Sequence, residues 1–201
     1  MRTAAVVLAA GRSERMGRNK LLLEVAGRPI LDWLLEALDA SAVNEVIVVL
    51  GHRPEELRPI ATSHGAVAVL NPSYDDGMTS SFMVGLSRVS ADAAFLVLGD
   101  QLGLEARLLE RMAAAMEADP EELIVSPAYR GRLGHPVLFR RALFPEILGL
   151  TEGENVRDVV LRHGSAHRLV EAGVWCVLDI DTPEDFDRAK RLFEASRGVV
   201  P

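Results

Sequence analysis

A chain of 201 residues with 49% apolar and 25% charged side chains has the size and composition of one globular domain, outside the disordered, collagenous and low-complexity classes. At 21.9 kDa it can bury roughly 70% of the surface its unfolded form exposes, so no disulfide or metal staple is needed for stability. The balance of 22 Lys and Arg against 29 Asp and Glu leaves a net charge of −7, which argues against nucleic acid as a partner. A polyanion could still be held where cations are locally concentrated. The single cysteine, Cys176, can form no intramolecular bridge, and its apolar neighbours read as a buried strand. One cysteine fits a reducing compartment, and a cytoplasmic location is expected. No apolar run approaches the roughly 20 residues of a membrane span.

In chain order, residues 4–8 form a β-branched run stopped by Gly11 and read as a central buried strand. Pro29 opens an amphipathic helix with Ile30, Leu31, Leu34, Leu35 and Leu38 at helical spacing. Strands are expected at 46–50, 66–70 and 94–98, separated by helices at 54–63 and 80–90 and followed by one at 104–118. In the second half, strands at 123–126 and 136–139 flank a turn at 129–134, and short helices follow at 140–148 and 156–163. Strands at 167–170 and 174–180 precede a closing helix over 183–196, capped by Thr182 with Asp185 three residues on. This alternation predicts a mainly parallel sheet covered by helices, in a single domain over residues 1–201.

The stretch from Leu8 to Lys20 is the most informative. Ala9, Ala10 and Gly11 allow the backbone to approach a ligand closely, and exposed N–H groups there would form an anion nest. Arg12, Arg15, Arg18 and Lys20 place four cations within nine residues of an acidic chain. That local inversion of sign suits a phosphate site. A solvated basic turn is the alternative that composition leaves open. The pattern is neither a P-loop nor the dinucleotide fingerprint.

Leu8 to Lys20 resembles the signature loop of the nucleotidyltransferases that activate sugars and cofactors. Four further segments resemble the branch that attaches cytidylate to the molybdenum cofactor: Asn71-Pro72 with Gly77-Met78-Thr79-Ser80-Ser81; Leu98-Gly99-Asp100-Gln101; Gly134-His135-Pro136-Val137-Leu138-Phe139; and Asp179-Ile180-Asp181-Thr182-Pro183-Glu184-Asp185. The chain is therefore similar to the MobA-like NTP transferase family, in its molybdenum cofactor cytidylyltransferase subgroup. The resemblance implies a Rossmann-like three-layer α/β sandwich of the nucleotide-diphospho-sugar transferase type. It also implies that Leu8, Ala9, Ala10, Gly11, Arg12 and Ser13 wrap a triphosphate that Arg15 and Lys20 neutralise. Asp100 and Asp181 would hold Mg2+, and Asn71, Gly77, Thr79, Ser80 and Ser81 would meet base or ribose. His135 would line the acceptor pocket. CTP and the pterin cofactor are the implied substrates, with a molybdoenzyme or its chaperone receiving the product and no part for a membrane.

Blander readings stand beside these. Asp100 could cap a helix, Asp179, Asp181 and Asp185 could serve an acidic helix start, and His135 could be structural. Strand alternation over 174–180 would put Asp179 and Asp181 on one face, so both could reach the site. His52, His64, His163 and His167 lack metal spacing and read as surface residues, and Met78 as packing. Leu102-Gly103 stand where the family often has proline, and Gly153-Glu154-Asn155 replaces a Gly-Asp-rich turn; both bear on acceptor recognition. Rivals to the cytidylyltransferase reading are a transferase using GTP or another acceptor, a nicotinamide-nucleotide reductase, and a non-catalytic chaperone for the cofactor.

Overall fold

The apolar runs and amphipathic stretches become ten strands and seven α-helices in the computed structural model, which describes residues 1–198. The first half runs β1 (Thr3–Ala9), β2 (Glu24–Val25), β3 (Arg28–Pro29), α1 (Ile30–Asp39), β4 (Glu45–Leu50), α2 (Pro54–Ser63), β5 (Val67–Leu70), α3 (Met78–Leu86) and β6 (Ala93–Leu98). The second half runs α4 (Ala106–Ala118), β7 (Ile124–Tyr129), β8 (Arg132–Leu133), β9 (Val137–Arg140), α5 (Phe144–Leu148), α6 (Val156–Arg162), β10 (His167–Glu171) and α7 (Pro183–Ser196). Among the described residues no helix is long and apolar enough to cross a membrane.

Eight strands form one sheet in the order β10-β7-β9-β6-β1-β4-β5, with β8 hydrogen-bonded to β7. β9 runs antiparallel to β6 and β7, β8 runs antiparallel to β7, and the other pairings are parallel. Beyond Thr3, β1 is apolar because it has parallel neighbours on both sides and helices over both faces. Alternation sorts its side chains. Ala5, Val7 and Ala9 pack with Leu31, Leu35, Leu57 and Met112, whereas Ala4 and Val6 pack with Phe82, Leu86 and Phe139. This is the three-layer arrangement expected. β4 and β5 extend the sheet to one side of β1 and β6 lies on the other, so the carboxyl ends of β1 and β6 border the point where strand order reverses. Open α/β sheets leave a crevice there.

A third cluster decides where the C-terminal helix sits. Phe186, Ala189 and Phe193 of α7 pack with Leu23, Val25, Trp33, Leu102 and Ile180. The start of α7 is fixed by the reciprocal cap foreseen: Thr182 Oγ1 accepts from the Asp185 N–H at 3.2 Å, and Asp185 Oδ2 accepts from the Thr182 N–H at 3.1 Å. Asp181 is thereby delivered to the mouth of the crevice.

Three segments depart from the sequence reading. Within the expected turn at 129–134, β7 runs on to Tyr129 and pairs with β8, leaving Arg130-Gly131 as the turn itself. The β2–β3 hairpin was unforeseen, since its strands are two residues long and its turn, Ala26-Gly27, lacks the Asn-Gly or Asp-Gly signature. The expected strand at 174–180 is instead a 3-10 turn, Val174–Val177, followed by irregular chain. Its apolar residues are divided between two sites: Trp175 lies edge-on to Phe193, with ring centroids 6.1 Å apart, while Cys176 is buried beside Gly134. The Cys176 carbonyl accepts from the His135 N–H at 2.8 Å, so it serves a loop and not a sheet ladder. Periodicity cannot separate a short buried run of this kind from a strand. Asp179 and Asp181 therefore share no strand face.

His64 joins α2 to α1. Its Nε2 lies 2.8 Å from Asp32 and its Nδ1 2.5 Å from Asp39. Burial pulls the imidazole pKa down, but the two carboxylates outweigh it and hold it above the ordinary histidine value. The ion pairs are then fully present below the unfolded-state pKa near 6.5. They are lost as pH rises through the higher folded-state value. Partial exposure limits their worth to about 1 kcal/mol. His64→Gln should therefore lower the melting temperature by about 2–4 °C at pH 6 and by less at pH 9. An equal change at both pH values in thermal melts would refute the charged pairing.

Candidate active site

Beyond Ala9 the chain leaves the sheet, and the Ala10 carbonyl is held by the His52 N–H at 3.1 Å. Ser13 adopts a left-handed conformation (φ 54°) and starts a 3-10 turn, Glu14–Met16. The return is pinned twice: Ser13 Oγ accepts from the Lys20 N–H at 3.1 Å, and Asn19 Oδ1 accepts from the Leu21 N–H at 3.2 Å. Leu21 is buried in the core below. The backbone of Lys20 is thus fixed, and its side chain reaches across the sheet end. Just after β6 the Gly99 N–H donates to the Leu8 carbonyl at 3.0 Å. A Cβ at Gly99 would lie 2.7 Å from that oxygen, so only glycine lets Asp100 follow so close to β1.

Three elements far apart in sequence meet at the Lys20 ammonium. Its Nζ lies 2.5 Å from Asp100 Oδ2, 3.3 Å from Asp181 Oδ1 and 3.0 Å from the Ile180 carbonyl. Burial alone would lower its pKa, but the charges and hydrogen bonds of Asp100 and Asp181 reverse the sign and raise it, so the ammonium is charged at neutral pH. Arg15 Nη2 reaches the other oxygen of Asp181 at 3.0 Å. Arg12 forms a two-pronged pair with Asp75, at 2.8 and 2.5 Å, with its guanidinium 5.4 Å from the Tyr74 ring centroid. That pairing holds the Asp75 carboxyl below its usual pKa. The loop is therefore no bare cationic turn: three of its four cations are matched to carboxylates. Arg18 is exposed and lies off the cleft wall.

The opposite wall comes from the β7–β8 hairpin and the Gly134-His135 loop. Burial pushes the His135 imidazole pKa down, against the opposing charges of Asp179 and Asp100 and a hydrogen bond to the backbone of Leu96. Its Nδ1 is buried without a hydrogen-bond partner. Nearby, burial pushes the Cys176 thiol up, consistent with an inert packing role.

Together these walls enclose an open cleft of about 1000 Å³ at the crevice foreseen by topology. Leu8, Ala10, Gly11, Arg12, Ser13, Arg15, Lys20, Gly77, Ser81, Asp100, His135 and Asp181 all line it, as does Asp179. Ala9 is buried in the core beneath. Asn71, Thr79 and Ser80 turn to internal bonds instead. Asn71 Nδ2 donates to Ser80 and Ser81 Oγ at 3.0 Å, Ser80 Oγ donates to the Ser73 and Gly77 carbonyls, and Thr79 Oγ1 accepts from the Val156 N–H at 3.3 Å. These bonds shape the cleft rim from behind. Sequence reasoning missed Tyr74, Asp75, Arg132 and Leu133, and took Met78 as packing although it is 64% exposed on the cleft wall. An acidic residue able to answer Arg12 was the one signal available, and nothing short of the fold selects Asp75 from 29 carboxylates.

The sequence profile of the MobA-like NTP transferase domain matches residues 5–196. The chain belongs to that family. Members similar to it differ in chemistry. It is 26% identical to the molybdenum cofactor cytidylyltransferase of Escherichia coli, over 94% of this chain and 95% of that one. It is equally 26% identical to the probable molybdenum cofactor guanylyltransferase of Trichormus variabilis, over 90% and 87%. It is 28% identical to the nicotine blue oxidoreductase of Paenarthrobacter nicotinovorans, over 94% and 93%. Among solved structures, Rv0371c of Mycobacterium tuberculosis superposes with a TM-score of 0.82 at 30% identity, covering 95% of this chain and 98% of that one. A manganese complex of Rv0371c gives 0.79 at 28%, with 95% and 99% covered. The 4-diphosphocytidyl-2C-methyl-D-erythritol synthase of Anaerococcus prevotii, at 16% identity, TM-score 0.77 and 96% coverage of each chain, has the same fold. This is the nucleotide-diphospho-sugar transferase type of α/β sandwich, within a family of NTP nucleotidyltransferases.

Proposed function

We propose that this member transfers a nucleotidyl group, cytidylyl by preference, from a nucleoside triphosphate to the terminal phosphate of the pterin cofactor. The observation that carries the reading is the meeting of Lys20, Arg15, Asp100 and Asp181 at the switch-point crevice. An oxygen of the acceptor phosphate attacks the α-phosphorus, the bond from that phosphorus to the β-phosphate bridging oxygen breaks, and pyrophosphate departs with the electron pair. The attacking oxygen is anionic at neutral pH, so no strong base is required. Positioning and charge neutralisation carry the catalysis. The Gly11 turn presents backbone N–H groups to the triphosphate, and Arg15 and Lys20 take up charge growing on the leaving group. His135, kept neutral by burial, lines the cleft wall on the acceptor side.

A divalent cation fits the carboxylate pair. One ammonium already touches both Asp100 and Asp181, so their oxygens converge on a single cation-sized point. Among the described residues no three His, Cys, Asp or Glu side chains form a self-sufficient metal cage. Mg2+ typically takes one or two carboxylates and completes its shell with phosphate oxygens and water. When bound it would supply charge stabilisation to the reacting phosphates. Pyrophosphate release from each of the four triphosphates, with Mg2+ and with or without the pterin acceptor, tests the whole reading. Release with CTP and acceptor is expected; no release under any pairing refutes it.

The resemblance to the oxidoreductase motivates one rival, a reductase holding a nicotinamide nucleotide in the same cleft. It requires no divalent metal and makes Asp100 dispensable. Acceptor-dependent loss of NADH or NADPH absorbance, unaffected by chelator, would favour it.

The nucleotide preference rests on Ala10, whose methyl group sits in the cleft wall where purine-specific relatives tend to carry a second glycine. One methyl group discriminates by only about 1–3 kcal/mol. CTP should therefore bind more tightly than GTP, and Ala10→Gly should narrow the difference without inverting it. Equal calorimetric affinities in the parent chain would remove the argument.

A further inference from the structure

The Lys20 ammonium stands on the point where Asp100 and Asp181 converge, and that position has a consequence for how ligands enter. Two carboxylates and two cations, Lys20 and Arg15, cancel at the crevice mouth. Asp179 adds a further carboxylate to the cleft wall, but a divalent ion arriving alone at the shared point finds both of its ligand oxygens already engaged by Nζ. Lys20 and Asp100 are largely buried, with side chains 23% and 13% exposed, so solvent screens their attraction only partly. Arg15 differs: it is 69% exposed and holds the outer oxygen of Asp181, away from the shared point.

The Lys20 side chain is free to leave without disturbing the fold. Its backbone is held by Ser13 Oγ and by the 3-10 turn Lys20–Leu22, whose Leu21 anchors it in the core. The cleft in front of it is open and wide enough to accept a displaced side chain. A triphosphate entering beside the Gly11 turn offers the ammonium stronger anionic partners, since charge-assisted bonds to phosphate oxygens replace those to carboxylate.

We propose that Lys20 is a placeholder for the divalent cation: it occupies the Asp100–Asp181 point in the free protein and gives it up only when a triphosphate takes the ammonium. Metal and nucleotide then bind as a coupled pair, and free metal is excluded. The inference rests on the nucleotidyl-transfer reading for the identity of the second ligand. The exclusion itself is a property of the free protein.

The test is a titration of Mn2+ into nucleotide-free protein, read by the loss of the free-ion signal in electron paramagnetic resonance. Lys20→Met should bind Mn2+ at least about tenfold more tightly than the parent. Lys20→Gln is neutral and can still donate to the Ile180 carbonyl, and it should show the same gain should Lys20→Met fail to fold. Lys20→Arg keeps the positive charge and should stay as weak as the parent. Adding Asp100→Asn to either neutral variant should abolish the gain, placing the ion at that carboxylate. Equal Mn2+ affinity in the parent and the neutral variants, or no measurable binding by the neutral variants, overturns the proposal. A gain in binding without pyrophosphate release from the parent would overturn the reaction assigned above and leave the placeholder standing.

Discussion

Asp100→Asn is expected to lower pyrophosphate release by about 10²–10³-fold while the protein remains folded. The substitution keeps the side-chain size and removes one negative charge from a pair that a single cation spans. The proposed metal loses an anionic ligand, and Lys20 loses the negative charge of its nearest partner, the Asp100 oxygen at 2.5 Å. Lys20 keeps Asp181 and the Ile180 carbonyl, so the ammonium is not left without partners and the loss of stability should stay near 1 kcal/mol. Asp181→Asn should act more mildly, because Asp181 is 37% exposed and water can replace part of its role. Two carboxylates serving one ion act as a unit, so the double variant should lose less than the product of the single losses. Steady-state pyrophosphate release with increasing Mg2+ measures each effect. Full turnover by Asp100→Asn in the presence of chelator would eliminate the metal role and return weight to the reductase.

Gly134→Ala should be the most damaging change to stability outside the central core. A Cβ at residue 134 would stand 2.1 Å from the Cys176 carbonyl oxygen and 2.6 Å from its carbon, both backbone atoms that cannot rotate away. The loop is also tied on both sides, by the Gly134 N–H to the Pro127 carbonyl at 2.9 Å and by the His135 N–H to the Cys176 carbonyl at 2.8 Å. Relief requires one of these bonds to break. A cost of about 3 kcal/mol follows from overpacking of this kind. In a chain of this length that lowers the melting temperature by roughly 6–12 °C. His135 would be carried out of the cleft with the loop, so acceptor affinity should fall as well. Gly11→Ala is the control: nothing lies within 4 Å of its added Cβ, and its melting temperature should stay unchanged. A shift of less than 2 °C in Gly134→Ala melts would contradict the close approach.

What could be read from the chain alone follows local physics. The strands of the parallel core announced themselves as short β-branched runs, and the helices by 3.6-residue spacing and caps. The Thr182–Asp185 cap was legible because it lies within four residues of itself. The Leu8 to Lys20 loop, Asp100 and Asp181 were legible as sequence segments resembling a family, and the fold brings the loop and both carboxylates into one cleft. The pairing within that cleft was not legible. Lys20 lies 80 residues from Asp100 and 161 from Asp181, and no local rule connects them. The same holds for Arg12 with Asp75, which turns a basic loop into a neutralised one. The residues at 174–180 show the opposite failure. Their composition is that of a strand, but the Cys176 carbonyl and the Trp175 ring are claimed by the His135 loop and by α7. Local propensity settles what a segment can become; contacts between distant segments settle which carboxylate a cation meets and whether an apolar run joins the sheet.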